Sequence, residues 1–138
     1  MPKTKEFSVR LDDEPGTLAE LCNVLADGKV NIVAFQAIPM EGDSLFRFIV
    51  DNPTKAKSIL DTNKFKPKEK EVVQVKLPNT PGQLARVASQ LAEADININY
   101  TYCGNEAGTN EPFLIFGVDD VPRSVKLLDK SLATAAGA

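Results

Sequence analysis

Two short segments carry polar groups at spacings that suit a small zwitterion. They are Asp13-Glu14-Pro15-Gly16-Thr17 and Asn79-Thr80-Pro81-Gly82-Gln83, each followed by a leucine-rich amphipathic run. Pro-Gly at the opening of a helix leaves backbone N–H groups pointing out of its N-terminus, where the helix dipole adds positive potential. The N–H groups of Gly16, Thr17, Gly82 and Gln83 are therefore candidate seats for a carboxylate, and the missing side chains of Gly16 and Gly82 let a ligand approach the backbone closely. An α-ammonium needs acceptors, which Asp13 or the amide oxygens of Asn79, Asn31 and Asn97 can supply. This chemistry holds a free amino acid or a similar small carboxylate and does not convert it. The sequence has no histidine, which removes Ser-His-Asp and Cys-His pairs, imidazole metal ligands and imidazole pH switches. Cys22 and Cys103 are too few for a disulfide framework or a thiolate zinc site. No catalytic residue, metal site or cofactor is expected.

Plainer roles exist for the same residues. Pro-Gly is an ordinary helix start, and asparagine at 31 and 97 can close a turn after a helix. Cys22 falls on an apolar stripe and reads as core, and Tyr100 and Tyr102 read as packing at an interface. Lys64, Lys66, Lys68 and Lys70 alternate along a segment that reads as a solvated edge.

The elements that must position these groups occur twice. Pro15-Gly16-Thr17-Leu18-Ala19 falls on Pro81-Gly82-Gln83-Leu84-Ala85, Leu25-Ala26 on Leu91-Ala92, and Asn31-Ile32 on Asn97-Ile98, without a gap. Further on, Phe48-Ile49-Val50-Asp51 falls on Phe116-Gly117-Val118-Asp119 after a two-residue insertion, which the polar stretch from Gly104 to Glu111 accommodates. Phe7, Val9 and Leu11 alternate with polar residues, as do Val73, Val75 and Leu77, the period of a half-buried strand. Leu18, Leu21, Cys22 and Leu25 recur at helical spacing, and Leu84, Val87, Ala88 and Leu91 repeat them; Asp13 and Thr80 stand where N-caps are expected.

Two β-rich runs follow in the first unit, from Val30 to Ile38 and Leu45 to Asp51 around a Gly42 turn, then a short helix from Pro53 to Asp61. The segment from Lys64 to Leu77 is expected to supply the last strand of one unit and the first of the next, with a bend near Pro67. The fold class is therefore α+β, with two tandem ferredoxin-like βαββαβ units, at 1–69 and 70–138. Right-handed crossovers imply antiparallel sheets in the order 4-1-3-2 with the helices on one face. The small-residue tail after Leu132 predicts that the second unit's fourth strand is missing or replaced from elsewhere.

In this topology the Pro-Gly loop and the asparagine of one unit lie at opposite ends. Antiparallel pairing of two units through their second strands would bring the loop of one beside the asparagine of the other. Two clefts result, Asp13 to Thr17 with Asn97 and Asn79 to Gln83 with Asn31. Either the two halves of one chain or units of two chains can form them. One loop offers a carboxylate and the other an amide, so the clefts are expected to differ in ligand or affinity.

The repeated pattern of strand, Asp/Asn-x-Pro-Gly-x-Leu-Ala, leucine-rich helix and Val/Ile-Asn-Ile resembles a tandem ACT domain protein over nearly the whole chain. The resemblance implies a non-catalytic regulatory, allosteric sensor of amino-acid metabolism, with the ligand held between paired domains. It places Asp13, Asn31, Asn79 and Asn97 at effector positions like those of a serine-responsive dehydrogenase. Asp13 is similar to the aspartokinase version of the loop. A homodimer and a metabolic enzyme or regulator as partner are further expectations.

Competing functions fare worse. The 138 residues are 43% hydrophobic and 25% charged, which supports a packed core, and the net charge is −3. With a pI near 5.0 neither nucleic acid nor an anionic membrane is an expected partner. Met1-Pro2-Lys3-Thr4-Lys5-Glu6 lacks the apolar core of a signal peptide, and no run reaches the roughly 20 apolar residues of a bilayer span, so a cytoplasmic location is expected. Ser8, Arg10, Gln74 and Lys76 stand where an RNA-binding relative of this fold needs aromatics. Neither unit has Cys-x-x-Cys, and Asp12-Asp13-Glu14 would repel the phosphate of an acylphosphatase-like site. The alternative that survives is a protein–protein interaction module with vestigial clefts.

Overall fold

Phe7, Val9 and Leu11 bury one face of strand β1 (Lys3–Asp12), and Val73 and Val75 do the same for β4 (Lys68–Val75). The computed structural model describes residues 3–109 and 111–137 and contains the chain in two units, Lys5–Lys70 and Met1–Thr4 with Glu71–Ala138. In the first, β1 is followed by α1 (Thr17–Asp27), β2 (Ile32–Met40), β3 (Asp43–Val50) and α2 (Pro53–Thr62). In the second, β4 is followed by α3 (Gln83–Glu93), β5 (Ile98–Asn105), β6 (Pro112–Val118) and α4 (Val121–Gly137). Both are βαββα sequences of α+β class.

Strand pairing repeats between units. In the first, β3 lies between β1 and β2, antiparallel to both, with Phe7 opposite Phe48 and Phe35 opposite Phe48. In the second, β6 lies between β4 and β5, with Val73 opposite Phe116 and Thr101 opposite Phe116. Leu21 and Leu25 of α1 and Ala56 and Leu60 of α2 close the first core over Phe7, Phe46 and Phe48, whose rings stack at 4.9 to 5.7 Å. Val87 and Leu91 of α3 and Leu128 of α4 close the second over Val73, Val75 and Phe116.

The segment from Lys64 to Leu77 departs from expectation: it forms one strand, β4, and not two. Lys64 and Lys66 take left-handed backbone (φ 65° and 54°) before Pro67, which uses up the residues a separate strand would need. The unit boundary cuts within strands. Lys5 pairs with Glu69 inside the first unit (3.4 Å), and Lys3 with Glu71 inside the second (3.8 Å). The tail after Leu132 continues α4 as helix to Gly137.

Three helices end alike. Lys29, Lys64 and Asp95 take φ near +60°, and the following Val30, Phe65 and Ile96 turn inward with N–H groups donating to Leu25, Leu60 and Leu91 carbonyls at 2.9 to 3.0 Å. This is the Schellman arrangement, with the apolar residue after the left-handed one anchoring the exit. The first hairpin turns through Gly42 at φ +74°. In the second, Glu106 N–H donates to the Glu111 carbonyl (3.0 Å) across the inserted loop, in which Asn110 lies outside the described residues.

Candidate functional site

The Pro-Gly segments are tight turns that feed the helices. Thr17 N–H donates to the Glu14 carbonyl and Gln83 N–H to the Thr80 carbonyl, both at 3.4 Å. Gly16 has φ 93°, ψ −11° and Gly82 has φ 89°, ψ −8°, the third position of a type II turn with proline at the second. The glycines are thus required by backbone sign, whether or not a ligand approaches. They occupy the N-cap position with no side-chain cap bond, so Asp13 and Thr80, expected as caps, are not. Thr17 and Gln83 N–H groups are engaged in the turn. The N–H groups that remain for an anion are those of the first helical turn after them.

Beyond this shared backbone the loops diverge. In the first, the Thr17 hydroxyl lies 2.9 Å from the Asp12 carbonyl and 3.2 Å from that of Glu14, beside three consecutive acids, Asp12, Asp13 and Glu14. In the second, Pro78, Asn79 and Thr80 replace the acids, and Gln83 Oε1 accepts from Arg86 at 3.1 Å. A cavity of about 270 Å³ opens there, lined by Asn79, Thr80 and Gln83 together with Leu77, Leu84, Cys103, Phe113 and Leu114. No charged side chain lines it. Leu84, expected on the buried stripe, lines this cavity and is 49% exposed. Its counterpart Leu18 is 39% exposed.

At the same end, Lys76 Nζ lies 2.8 Å from Glu106 and 3.4 Å from Glu111. The Glu106 hydrogen bond is the main cause that raises the Lys76 pKa, and its reciprocal lowers that of Glu106. Arg10 and Asp43 form the matching pair in the first unit, at 3.0 Å.

Asn31 and Asn97 have a defined backbone role. Asn31 N–H donates to Asp51 Oδ1 (3.0 Å) and its carbonyl accepts from Asp51 N–H (3.0 Å). Asn97 and Asp119 repeat the exchange at 3.2 and 3.3 Å, and the Asn97 side chain donates to Asn99 (2.8 Å). Asp12 lies opposite Asp43 and Ile32 opposite Val50. The steps along β3 between those partners span about 23 Å, which separates Asn31 from the Pro-Gly loop of its own unit. Of the eight residues singled out from sequence, the structure brings Asn79 and Gln83 together at one cavity. Sequence reasoning missed the apolar part of its lining, Cys103, Phe113 and Leu114 among it.

Among the described residues no group of three or more His, Cys, Asp or Glu side chains could hold a metal ion. No helix among them is long and apolar enough to cross a membrane. Two tandem α+β units, each a βαββα sequence with an antiparallel sheet, define the class of fold. The chain belongs to the ACT domain pair family, whose model matches residues 3–134. Protein BT0572 from Bacteroides thetaiotaomicron is similar over 94% of this chain and 88% of that one, at 28% identity and a TM-score of 0.83. The ligand-free regulatory subunit of aspartate kinase from Thermus thermophilus shares the fold over 94% of this chain and 91% of its own, at 16% identity and a TM-score of 0.62. No curated protein matches the sequence.

Proposed function

We propose that the chain is a non-catalytic sensor whose second unit holds a free amino acid with an apolar side chain. The observation that carries this is the cavity beside the Asn79–Gln83 loop, where amide and hydroxyl groups share an otherwise largely apolar lining without any charged side chain. At about 270 Å³ it falls just under the range typical of drug-sized ligands, which suits a metabolite of amino-acid size. The ligand carboxylate sits at the N-terminus of α3, where the first-turn N–H groups and the helix dipole favour negative charge. Asn79 and Thr80 supply side-chain oxygens for the ammonium, and Gln83, whose Oε1 is held by Arg86, offers its amide N–H group to the carboxylate. The first loop, with Gly16, Thr17 and the acids 12–14, is a weaker or different seat because its carboxylates oppose a ligand carboxylate. Asn31 and Asn97 serve a ligand only where a loop from another unit reaches them, in the same chain or in a homodimer. Occupancy of the cavity would then be transmitted to a partner of amino-acid metabolism.

A thermal-shift panel of the twenty amino acids tests the reading. An apolar amino acid at a hundredfold excess over Kd adds about 2.7 kcal/mol to the folded state, a shift of several degrees. The shift is expected to shrink in Gln83→Ala and Asn79→Ala. No response to any amino acid at millimolar concentration favours the interaction-module alternative, for which Phe35, 62% exposed on β2, is the natural contact.

A further inference from the structure

We propose that the first unit carries a second, independent site for a phosphate-bearing small molecule. A cavity of about 580 Å³ is lined by Ser8, Arg10, Met40, Leu45, Lys64, Phe65, Lys66 and Lys68. None of the Pro-Gly loop residues lines it. Four of its eight lining residues are cations and none is acidic. Arg10 is neutralised by Asp43 at 3.0 Å, whereas Lys64, Lys66 and Lys68 form no ion pair among the described residues. Three uncompensated ammonium groups around one concavity, on a chain of net charge −3, are a local reversal of field.

Lysine binds phosphate as a mobile point charge, and the Ser8 hydroxyl adds a neutral donor. Met40, Leu45 and Phe65 form an apolar wall fit for the body of a phosphate ester, so the ligand class is a phosphorylated metabolite and not a bare anion.

The backbone gives a second, independent observation. Lys64 has a structural reason for its left-handed conformation, as the residue that ends α2. Lys66 has none: it holds φ 54° directly before Pro67, a position where that conformation is disfavoured, and glycine would adopt it at lower cost. Lysine placed there trades backbone ease for a cation at the rim of the cavity.

The probes are inorganic pyrophosphate and ATP, added to the full chain at low salt, with citrate as a carboxylate control. Pyrophosphate and ATP are expected to raise Tm, ATP more strongly, and citrate less than either. The response should weaken as salt increases. Lys68→Gln and Lys64→Gln are each expected to weaken binding about tenfold, the loss of one hydrogen bond to a charged group. Lys66→Gly is expected to hold or raise the ligand-free Tm and to weaken binding, a combination a purely structural lysine would not produce. Lys55→Gln on α2 should leave binding unchanged. The proposal is overturned if neither probe shifts Tm at millimolar concentration, if citrate matches pyrophosphate, if Lys55→Gln weakens binding as much as Lys68→Gln, or if a short RNA binds more tightly than ATP. Amino-acid binding at the second unit's cavity is unaffected by any of these outcomes.

Discussion

The Tyr100 ring lies directly over the α-carbon of Gly117, its cross-strand partner, and fills the place a side chain there would occupy. The equivalent pair in the first unit, Ala34 opposite Ile49, distributes the volume the other way, with both residues buried. Each unit thus has one large and one small residue at the same cross-strand position. Gly117→Ala would drive a methyl group into the Tyr100 ring and displace it from its stack on Tyr102 at 6.3 Å. Such overpacking is expected to cost about 1–3 kcal/mol. The double variant Tyr100→Ala with Gly117→Ile transplants the first unit's pair, and should be less destabilised than the two single changes added together. Urea unfolding midpoints of the four proteins give the coupling directly.

Asn31 and Asp51 predict a contrast between backbone and side chain. Asp51→Ala removes the acceptor of Asn31 N–H and is expected to lower stability by about 1 kcal/mol. Asn31→Ala keeps both backbone bonds and should fall within about 0.5 kcal/mol of the parent. If Asn31→Ala proved the more destabilising in thermal unfolding, its side chain and not its backbone would carry the structural role.

The duplication, the strand alternation of Phe7, Val9 and Leu11, and the buried pairs Leu21/Leu25 and Val87/Leu91 were all legible in sequence, because burial imposes periods of 2 and 3.6 on residue type. What was not legible lies where residue type and backbone disagree. Nothing in a lysine announces φ 54°, so the Lys64–Pro67 stretch hid both the loss of a strand and the basic cavity. Leu18 and Leu84 fit the helical stripe by spacing, yet sit at its first turn, past the edge of the core. Asp13 and Thr80 suit an N-cap by type, but a type II turn ahead of the helix puts glycine there instead.

Gly82→Ala tests that turn. No heavy atom other than those of its chain neighbours lies within 4 Å of a Cβ at residue 82, so a steric argument predicts no effect. The φ of 89° predicts a loss of about 1–2 kcal/mol, and more for the β-branched valine. Gly82→Val therefore tests the fold together with the cavity, and Gln83→Ala is the cleaner probe of ligand binding. Equal Tm values for Gly82→Ala and the parent would show that the turn relaxes to another conformation.

Lys76 and Glu106 make stability depend on pH at both extremes. The pKa of Glu106 is lowered from 4.5, so its contribution is present above that value and lost as pH falls through the folded-state pKa. The pKa of Lys76 is raised from 10.5, so its contribution is present below that value and lost as pH rises through the folded-state pKa. Both groups face water, so the effect is small and screened by salt. The Tm difference between the parent and Lys76→Met should be largest at low salt between these limits and shrink below pH 4.5. A difference that persists in strong acid would trace to the apolar stem of the lysine and not its charge.

The two cysteines separate the cavity from the core. Cys103 is exposed and lines the second unit's cavity, while Cys22 packs half-buried against the first core, where burial raises its pKa. Thiolate is the reactive form, so iodoacetamide at neutral pH should label Cys103 well before Cys22. A bound amino acid that occupies the cavity covers Cys103 and should slow its labelling, in proportion to the fraction bound, while leaving Cys22 unchanged. Peptide mass spectrometry of the labelled chain reads both sites in one sample. An amino acid that raises Tm without protecting Cys103 binds elsewhere, and the Asp12–Thr17 loop of the first unit is then the place to look.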